Sequence, residues 1–516
     1  NSTARVEVRQ NGALIQTTVV PAGPFTLTNM PLLSASTDLD VTVIEADGSR
    51  RQFSIPSASF GGGTWYCNRY PGAQCDTASM IYMPLLEETG HTPSEKYAHA
   101  PEIRNHCSNI GKHFGLYEKA LFHTEVNDME WDESHKRWIV RTSRGDEFTA
   151  KYVGMGTGPL HVAKLPGIPG INDFKGKSFH TSRWDYDYTG GDSNGNLHKL
   201  HDKRVAVIGT GATAVQLLPE IAPLVKRLDV YQRTPIWLLK KPDHALPGWL
   251  KSSFRLLPAA QRLVRVGTDV ISESLMVIST IYYRQAPWLV RKCEEAGIRN
   301  MKEQLPSRPD LWEKLTPKYG FGCKRPSFSN EYFRIFARDN TDLITTSIER
   351  ITEKGIKTRD GVERKIDVLI LATGYRVFEK GNLPSYDVVG RKSQEIGAIW
   401  ESNRYQAYEG LTVPGFPNFY VMLGPYALIG TSYFKMAEGN AIHAVRCIKE
   451  GRKRQATCVE VRQDVHDRYF ADIQRRHRRT PRRHRLRHTI WQVYSKPRQK
   501  APWSEQTERG QYPRSH

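Results

Sequence analysis

The chain has 516 residues, 39% of them hydrophobic and 25% charged, with a formal net charge of +20. That length supports two or three domains with cores of their own, and the composition is globular, excluding a disordered or fibrous chain. Seven cysteines scattered without a CxxC pair exclude a disulfide scaffold and a zinc ribbon, and the longest apolar run, "LMVISTIYY" from Leu275, falls short of a bilayer span. The thiols are therefore expected to be reduced and the location cytoplasmic, with no metal site. The chain opens at Asn1 without a methionine or a secretion signal, as a partial chain would.

Residues 1–60 read as a β-hairpin segment. "ARVEVRQNGALIQTTVV" alternates apolar and polar residues on both sides of Asn11-Gly12, a type I′ turn signal, and "DVTVIEADGSRRQFSIP" repeats the pattern around Asp47-Gly48. On "QNGALIQTTVVPAGPFTLTNM" and "LDVTVIEADGSRRQFSIP" the segment resembles the outer-membrane ushers of fimbrial assembly. So few strands cannot close a lipid-embedded barrel, so usher function is not expected of the chain.

From Gly61 the idiom changes to glycine, aromatic and charge packed together, "GGGTWYCNRYPGAQCDTASMIY". "AKYVGMGTGPLH" (150–161) follows as an apolar strand ending in Thr157-Gly158, and "IDVLILATGYRVF" (366–378) repeats the form with Thr373-Gly374. Between them, "KRVAVIGTGATAVQLLPEIAPLVKRLDVYQRTP" from Lys203 runs strand, glycine loop, a helix of some fifteen residues, and a second strand. In that loop (Gly209, Thr210, Gly211, Ala212, Thr213, Ala214) Gly209 makes the tight turn. Gly211 lets backbone approach a pyrophosphate, and Ala214 lets helix pack on strand. The second strand ends Gln232-Arg233-Thr234, where an NAD site usually carries an acid. Arg233 instead suits a 2′-phosphate, which favours NADPH. Residues 236–319 read as helical.

"FKGKSFHTSRWD" supplies Phe174, Gly176, His180, Trp184 and Asp185 in the spacing F-x-G-x-x-x-H-x-x-x-W-[PD]. With "GFGCKRPSFSNEYF" from Gly320 and "PGFPNFYVMLGP" from Pro414, it makes residues 61 to about 474 resemble the Baeyer–Villiger monooxygenases. The resemblance implies an α/β flavoprotein with two dinucleotide-binding, Rossmann-like domains for FAD and NADP, a helical insertion, and a short all-β segment in front. The implied domains are 61–165 and 386–470 for FAD, and 166–385 for NADP with the insertion at about 236–319. It further implies that NADPH reduces FAD and that the oxygenated flavin attacks a ketone carbonyl, giving an ester or lactone from ketone and O2.

By the same resemblance Arg325 stabilises the charged oxygenated flavin and the tetrahedral adduct, and Asp76 holds that arginine. Lys324 joins Arg233 and Thr234 at the nicotinamide nucleotide. Thr64, Trp65, Tyr66, Cys67, Asp76, Tyr82 and Val126 touch the flavin, while His180 and Trp184 organise the link between domains. Cys67 stands where an aromatic is usual and Gln74 where arginine is usual, which loosens the expected flavin wall. The family's first βαβ unit, with its own G-x-G-x-x-G for FAD, should precede "GGTW". Residues 1–60 do not supply it, so FAD binding and turnover are expected to be impaired. The alternatives are an N- or S-oxidising flavin monooxygenase or a non-catalytic NADP-binding remnant. Residues 471–516 carry 13 Lys+Arg against 3 Asp+Glu and read as a disordered basic tail; neither nucleic acid nor membrane is expected as a partner.

Overall fold

The computed structural model describes residues 3–10, 13–20, 39–55, 63–160, 162–280, 285–377, 379, 381–382, 384–427 and 432–477. The expected turn at Asn11-Gly12, Gly61 and the basic run from Arg478 lie outside them. Two compact units result, residues 1–66 with 102–124, and residues 67–101 with 125–516.

In the first unit four strands make an antiparallel sheet in the order Ala13–Val20, Ala4–Gln10, Leu39–Glu45, Arg50–Ile55. Alternation sends Val6 and Val8 into a core with Ala4, Val20 and Val41, while Arg5 and Arg9 flank Glu7 on the other face at 3.2 and 3.4 Å. The turn at Asp47-Gly48 forms as expected: Gly48 has φ +84, and Ser49 N donates to Asp47 Oδ1 at 2.8 Å.

The second unit is α/β. Its principal sheet has five parallel strands in the order Thr341–Ile344, Arg227–Tyr231, Arg204–Ile208, Val368–Leu371, Lys177–His180. Val205–Ile208 and Val368–Leu371 are buried along their whole length, as strands covered on both faces must be. The connecting helix Ala212–Ile221 buries Ala214, Leu217, Leu218 and Ile221. It has ten residues rather than some fifteen: Pro219 removes one backbone donor, and the chain turns off the helix two residues later.

A second sheet orders Asp387–Val389, Val126–Asp132, Arg137–Thr142 and Glu147–Ala150, over a core that includes Trp131, Trp138, Trp400, Phe416 and Phe419. Beside it Val153–Met155 pairs in parallel with Phe419–Val421. The two look-alike stretches of sequence thus go to different sheets, 150–161 here and 366–378 to the five-stranded sheet. Their strands stop at Met155 and Leu371, and the glycines beyond, Gly158 and Gly374, take φ +67 and +79.

The insertion is mostly helical, with helices Gly248–Leu256, Pro258–Thr280 and Pro287–Gln304. Its start is not: Leu238–Leu239 pairs in parallel with Ser327–Phe328, tying the two ends of the insertion together through a strand too short to show a period in sequence. Among the described residues no helix is long and apolar enough to cross a membrane.

Candidate functional site

The glycine loop follows the strand Arg204–Ile208 at the carboxyl edge of the five-stranded sheet, the edge where ligands of such sheets bind. Gly209 has φ +114, and a Cβ there would stand 2.3 Å from the Ala372 carbonyl oxygen, so the neighbouring strand forbids a side chain. Gly211 is the opposite case. It caps the helix, and nothing lies within 4 Å of where its Cβ would be. The first-turn N–H groups of that helix have no intrahelical partner and open onto this space, the arrangement that receives a diphosphate. Thr210 Oγ1 donates to the Thr234 carbonyl at 3.3 Å, fastening the loop to the end of the next strand.

Arg233 follows that strand and is exposed. Burial first, and the Arg233 charge second, push the Lys324 ammonium below its usual range. Two cations therefore share one field, and among the described residues no carboxylate pairs with either. Such a pair is set for an anion. Lys324 Nζ also lies 5.0 Å over the Tyr319 ring.

Next to Lys324, Arg325 Nη2 donates to Asp76 Oδ1 at 2.6 Å across 249 residues of sequence. The Arg325 side chain is 64% exposed and the Asp76 side chain 24%, so one edge of the guanidinium is fixed while the rest faces solvent. Around Asp76 the packing is tight. Tyr70 donates to Gln216 Oε1 at 2.7 Å, and burial holds its phenol above the usual range against a hydrogen bond with Thr213. Burial likewise pushes the Cys75 thiol up to about 12, against a hydrogen bond with Ser79.

The fingerprint residues build the edge strand Lys177–His180. Gly176 is required because a Cβ would meet the Asp367 carbonyl at 2.6 Å and the Phe174 ring at 2.4 Å. Phe174 packs onto the sheet core, and Trp184 stands edge-on to Phe179 with ring centroids 5.1 Å apart. Asp185 accepts from Tyr188 N at 2.9 Å and pairs with Lys177. His180 is buried at the carboxyl end of the strand and accepts from Ser182 N at 3.1 Å through Nδ1. Burial pushes its imidazole down to about 4, with Arg183 adding to the shift and the Gly374 backbone opposing it. These contacts lie within the edge strand and the turn that follows it.

The remaining expected residues fall in both units. Thr64, Trp65 and Tyr66 lie on the helix Gly63–Cys67 in the first unit, and Cys67 is the first residue of the second. Tyr82 stands edge-on to Phe434 at 5.1 Å, and Val126 opens the first long strand of the second sheet.

Sequence reasoning missed how Gln74 is used. Its amide donates to the Tyr97 carbonyl at 2.5 Å and to Asp243 at 3.0 Å, and it accepts from Lys241. Gln216 on the loop helix donates to the Gln74 carbonyl at 2.7 Å. Gln74 is thus a junction between the loop helix and the start of the insertion. The only signal was the charged cluster "KKPDH" inside an otherwise apolar stretch.

A family model described as "Outer membrane usher protein" matches residues 1–62, and one described as "Flavin-binding monooxygenase-like" matches residues 89–251. A Baeyer-Villiger monooxygenase of Stachybotrys chlorohalonatus is 40% identical over 433 residues, covering 78% of this chain and 69% of the relative. Among solved structures, a polycyclic ketone monooxygenase of Thermothelomyces thermophila superposes with a TM-score of 0.72 at 28% identity, covering 80% of this chain and 73% of its own. OTEMO in complex with FAD and NADP gives 0.69 at 26% identity, covering 81% and 84%.

Proposed function

The chain belongs to the Baeyer–Villiger monooxygenases, NADPH- and FAD-dependent flavoenzymes that insert one oxygen atom beside a ketone carbonyl, and on that premise we propose the following roles for its residues. The N-terminus of the helix Ala212–Ile221 receives the pyrophosphate of NADPH, because its donors open onto the space left by Gly211. Arg233 and Lys324 take the 2′-phosphate: they are neighbouring cations without a carboxylate partner among the described residues. The nicotinamide group supplies the hydride when bound, and these residues hold it at the carboxyl edge of the sheet. Asp76 keeps Arg325 aimed, and the free edge of the guanidinium offers fixed positive charge to a substrate oxygen as it turns anionic.

The flavin is a different matter. Among the described residues one strand–glycine loop–helix unit is present, at 204–221, and residues 39–55 form antiparallel strands that cannot present a helix N-terminus to a second diphosphate. The residues present do not fit that part of FAD. This favours a second reading in which the chain binds NADP(H) without turning over. Seven free cysteines support a cytoplasmic location.

The observation that carries the proposal is the Asp76–Arg325 contact beside the Arg233–Lys324 cation pair. The test is NADPH oxidation by the purified chain with added FAD and a cyclic ketone. Oxidation coupled to ester or lactone supports the oxygenating role. NADPH binding with no product supports the second reading, and absence of NADPH binding overturns both.

A further inference from the structure

The helix Pro258–Thr280 is amphipathic in the reverse sense for one packed on a protein body. Toward the protein it presents Gln261, Arg265 and Asp269, spaced by four on one face. Gln261 Nε2 donates to the His91 carbonyl at 3.0 Å, Arg265 pairs with Glu87 at 2.7 Å, and Asp269 accepts from Lys435. Away from the protein stand Leu263, Val266, Val270, Ile271, Leu275 and Ile278, all exposed, Leu263 at 74% and Ile271 at 64%. The preceding helix Gly248–Leu256 adds Trp249 and Leu256, seven residues apart on one face and 71% and 87% exposed. An apolar surface this continuous marks a place of interaction.

We propose that this face seats on an anionic lipid surface, with the helix lying in the plane of the interface. The charge around it decides between lipid and a second copy of the chain. Arg255 and Arg262 are exposed and Lys251 is half-buried. Arg265 and Asp269 are committed inward, and the other acid of these two helices, Glu273, is half-buried. On the next helix Lys292 stands 5.3 Å over the exposed Trp288 ring. A second copy would set these cations against their own like, whereas anionic headgroups complement them. Leucine and valine side chains then enter the acyl boundary, Trp249 sits at headgroup level, and the arginines reach the phosphates. The 23 residues of the helix, at 1.5 Å each, lie along about 35 Å of surface. This revises the sequence-based expectation of no membrane partner: the helix lies on a bilayer and does not cross it.

The test is flotation of the purified full chain with vesicles of phosphatidylcholine, alone or mixed with phosphatidylglycerol. The sequence beyond His477 is itself basic and attracts anionic vesicles by charge, so the deciding comparison is made at about 0.5 M salt, where the screening length is ~4 Å. The parent chain is expected to stay bound there, with the bound fraction falling about tenfold in the Leu263→Glu/Val270→Glu variant. Arg255→Gln/Arg262→Gln should weaken binding at low salt, and unchanged NADPH affinity checks that each variant is folded. Equal flotation of parent and Leu263→Glu/Val270→Glu, or none by either, overturns the proposal. So does a dimer in sedimentation that the same double substitution dissolves, which would assign the face to a second copy.

Discussion

Replacing Arg233 by alanine separates recognition of the 2′-phosphate from general integrity of the nucleotide site. Arg233 is exposed and, among the described residues, pairs with no carboxylate, so its removal should leave folding stability within about 0.5 kcal/mol of the parent. A hydrogen bond to a charged group contributes about 1.5–3 kcal/mol, and the exposed position argues for the lower half of that range. The expected loss of NADPH affinity is therefore about 10- to 40-fold, with NADH affinity held within about twofold. Lys324 limits the loss. The Arg233 charge depresses its ammonium, so without Arg233 the Lys324 pKa rises and the lysine holds its proton more firmly on the phosphate. Arg233→Lys should recover part of the affinity, since charge returns without the planar fork. Fluorescence titration of the purified chain with NADPH and with NADH reads this directly, independently of any flavin. If the substitution weakened both nucleotides equally, or neither, the assignment of Arg233 to the 2′-phosphate would be wrong.

Gly209→Ala and Gly211→Ala should part company. The first drives a methyl against the Ala372 carbonyl at φ +114 and should lower stability by about 1–3 kcal/mol in urea unfolding. The second meets no atom, so melting should be unchanged while NADPH affinity falls. Asp76→Asn should leave stability within about 1 kcal/mol, because Arg325 is largely exposed, yet lower ketone-coupled oxidation at least about tenfold if the flavin can be loaded. His180 should shape the acid limb of stability. Its folded pKa of about 4 lies below the ordinary 6.5, so its contribution is complete above pH 6.5 and is lost as pH falls toward 4, by roughly 3 kcal/mol. Urea midpoints across that window should fall less steeply for His180→Gln than for the parent.

What was legible in the sequence was local. Val205–Ile208 and the glycines after it announce strand, turn and helix because each position has a steric reason that travels only a few residues. The helix length was misjudged because apolar periodicity runs on past Pro219, where the missing donor ends it. The Asp76–Arg325 contact spans 249 residues, and no local pattern encodes it; only the family resemblance points to it. The partners of Gln74, namely Lys241, Asp243 and Gln216, stand 142 to 169 residues away, beyond the reach of any local pattern. The apolar stripe from Leu263 to Ile278 was present in the sequence too, but periodicity marks only that a helix has two faces, and partners such as Glu87 and Lys435 decide which one turns inward.

The strand pair Val153–Met155 and Phe419–Val421 has a kinetic consequence. Its halves are separated by the entire five-stranded sheet, so in a fully unfolded chain they meet only by closing a loop on the order of 250 residues. Lys177–His180 and Val368–Leu371 are adjacent in that sheet, so once it has formed it holds the two flanking segments about a strand's length apart. The loop left to close is then on the order of 70 residues, which removes about 1 kcal/mol of closure entropy. The inner sheet should accordingly act as a clamp that must assemble first, and pulse-labelled exchange during refolding should protect Arg204–Ile208 ahead of Phe419–Val421.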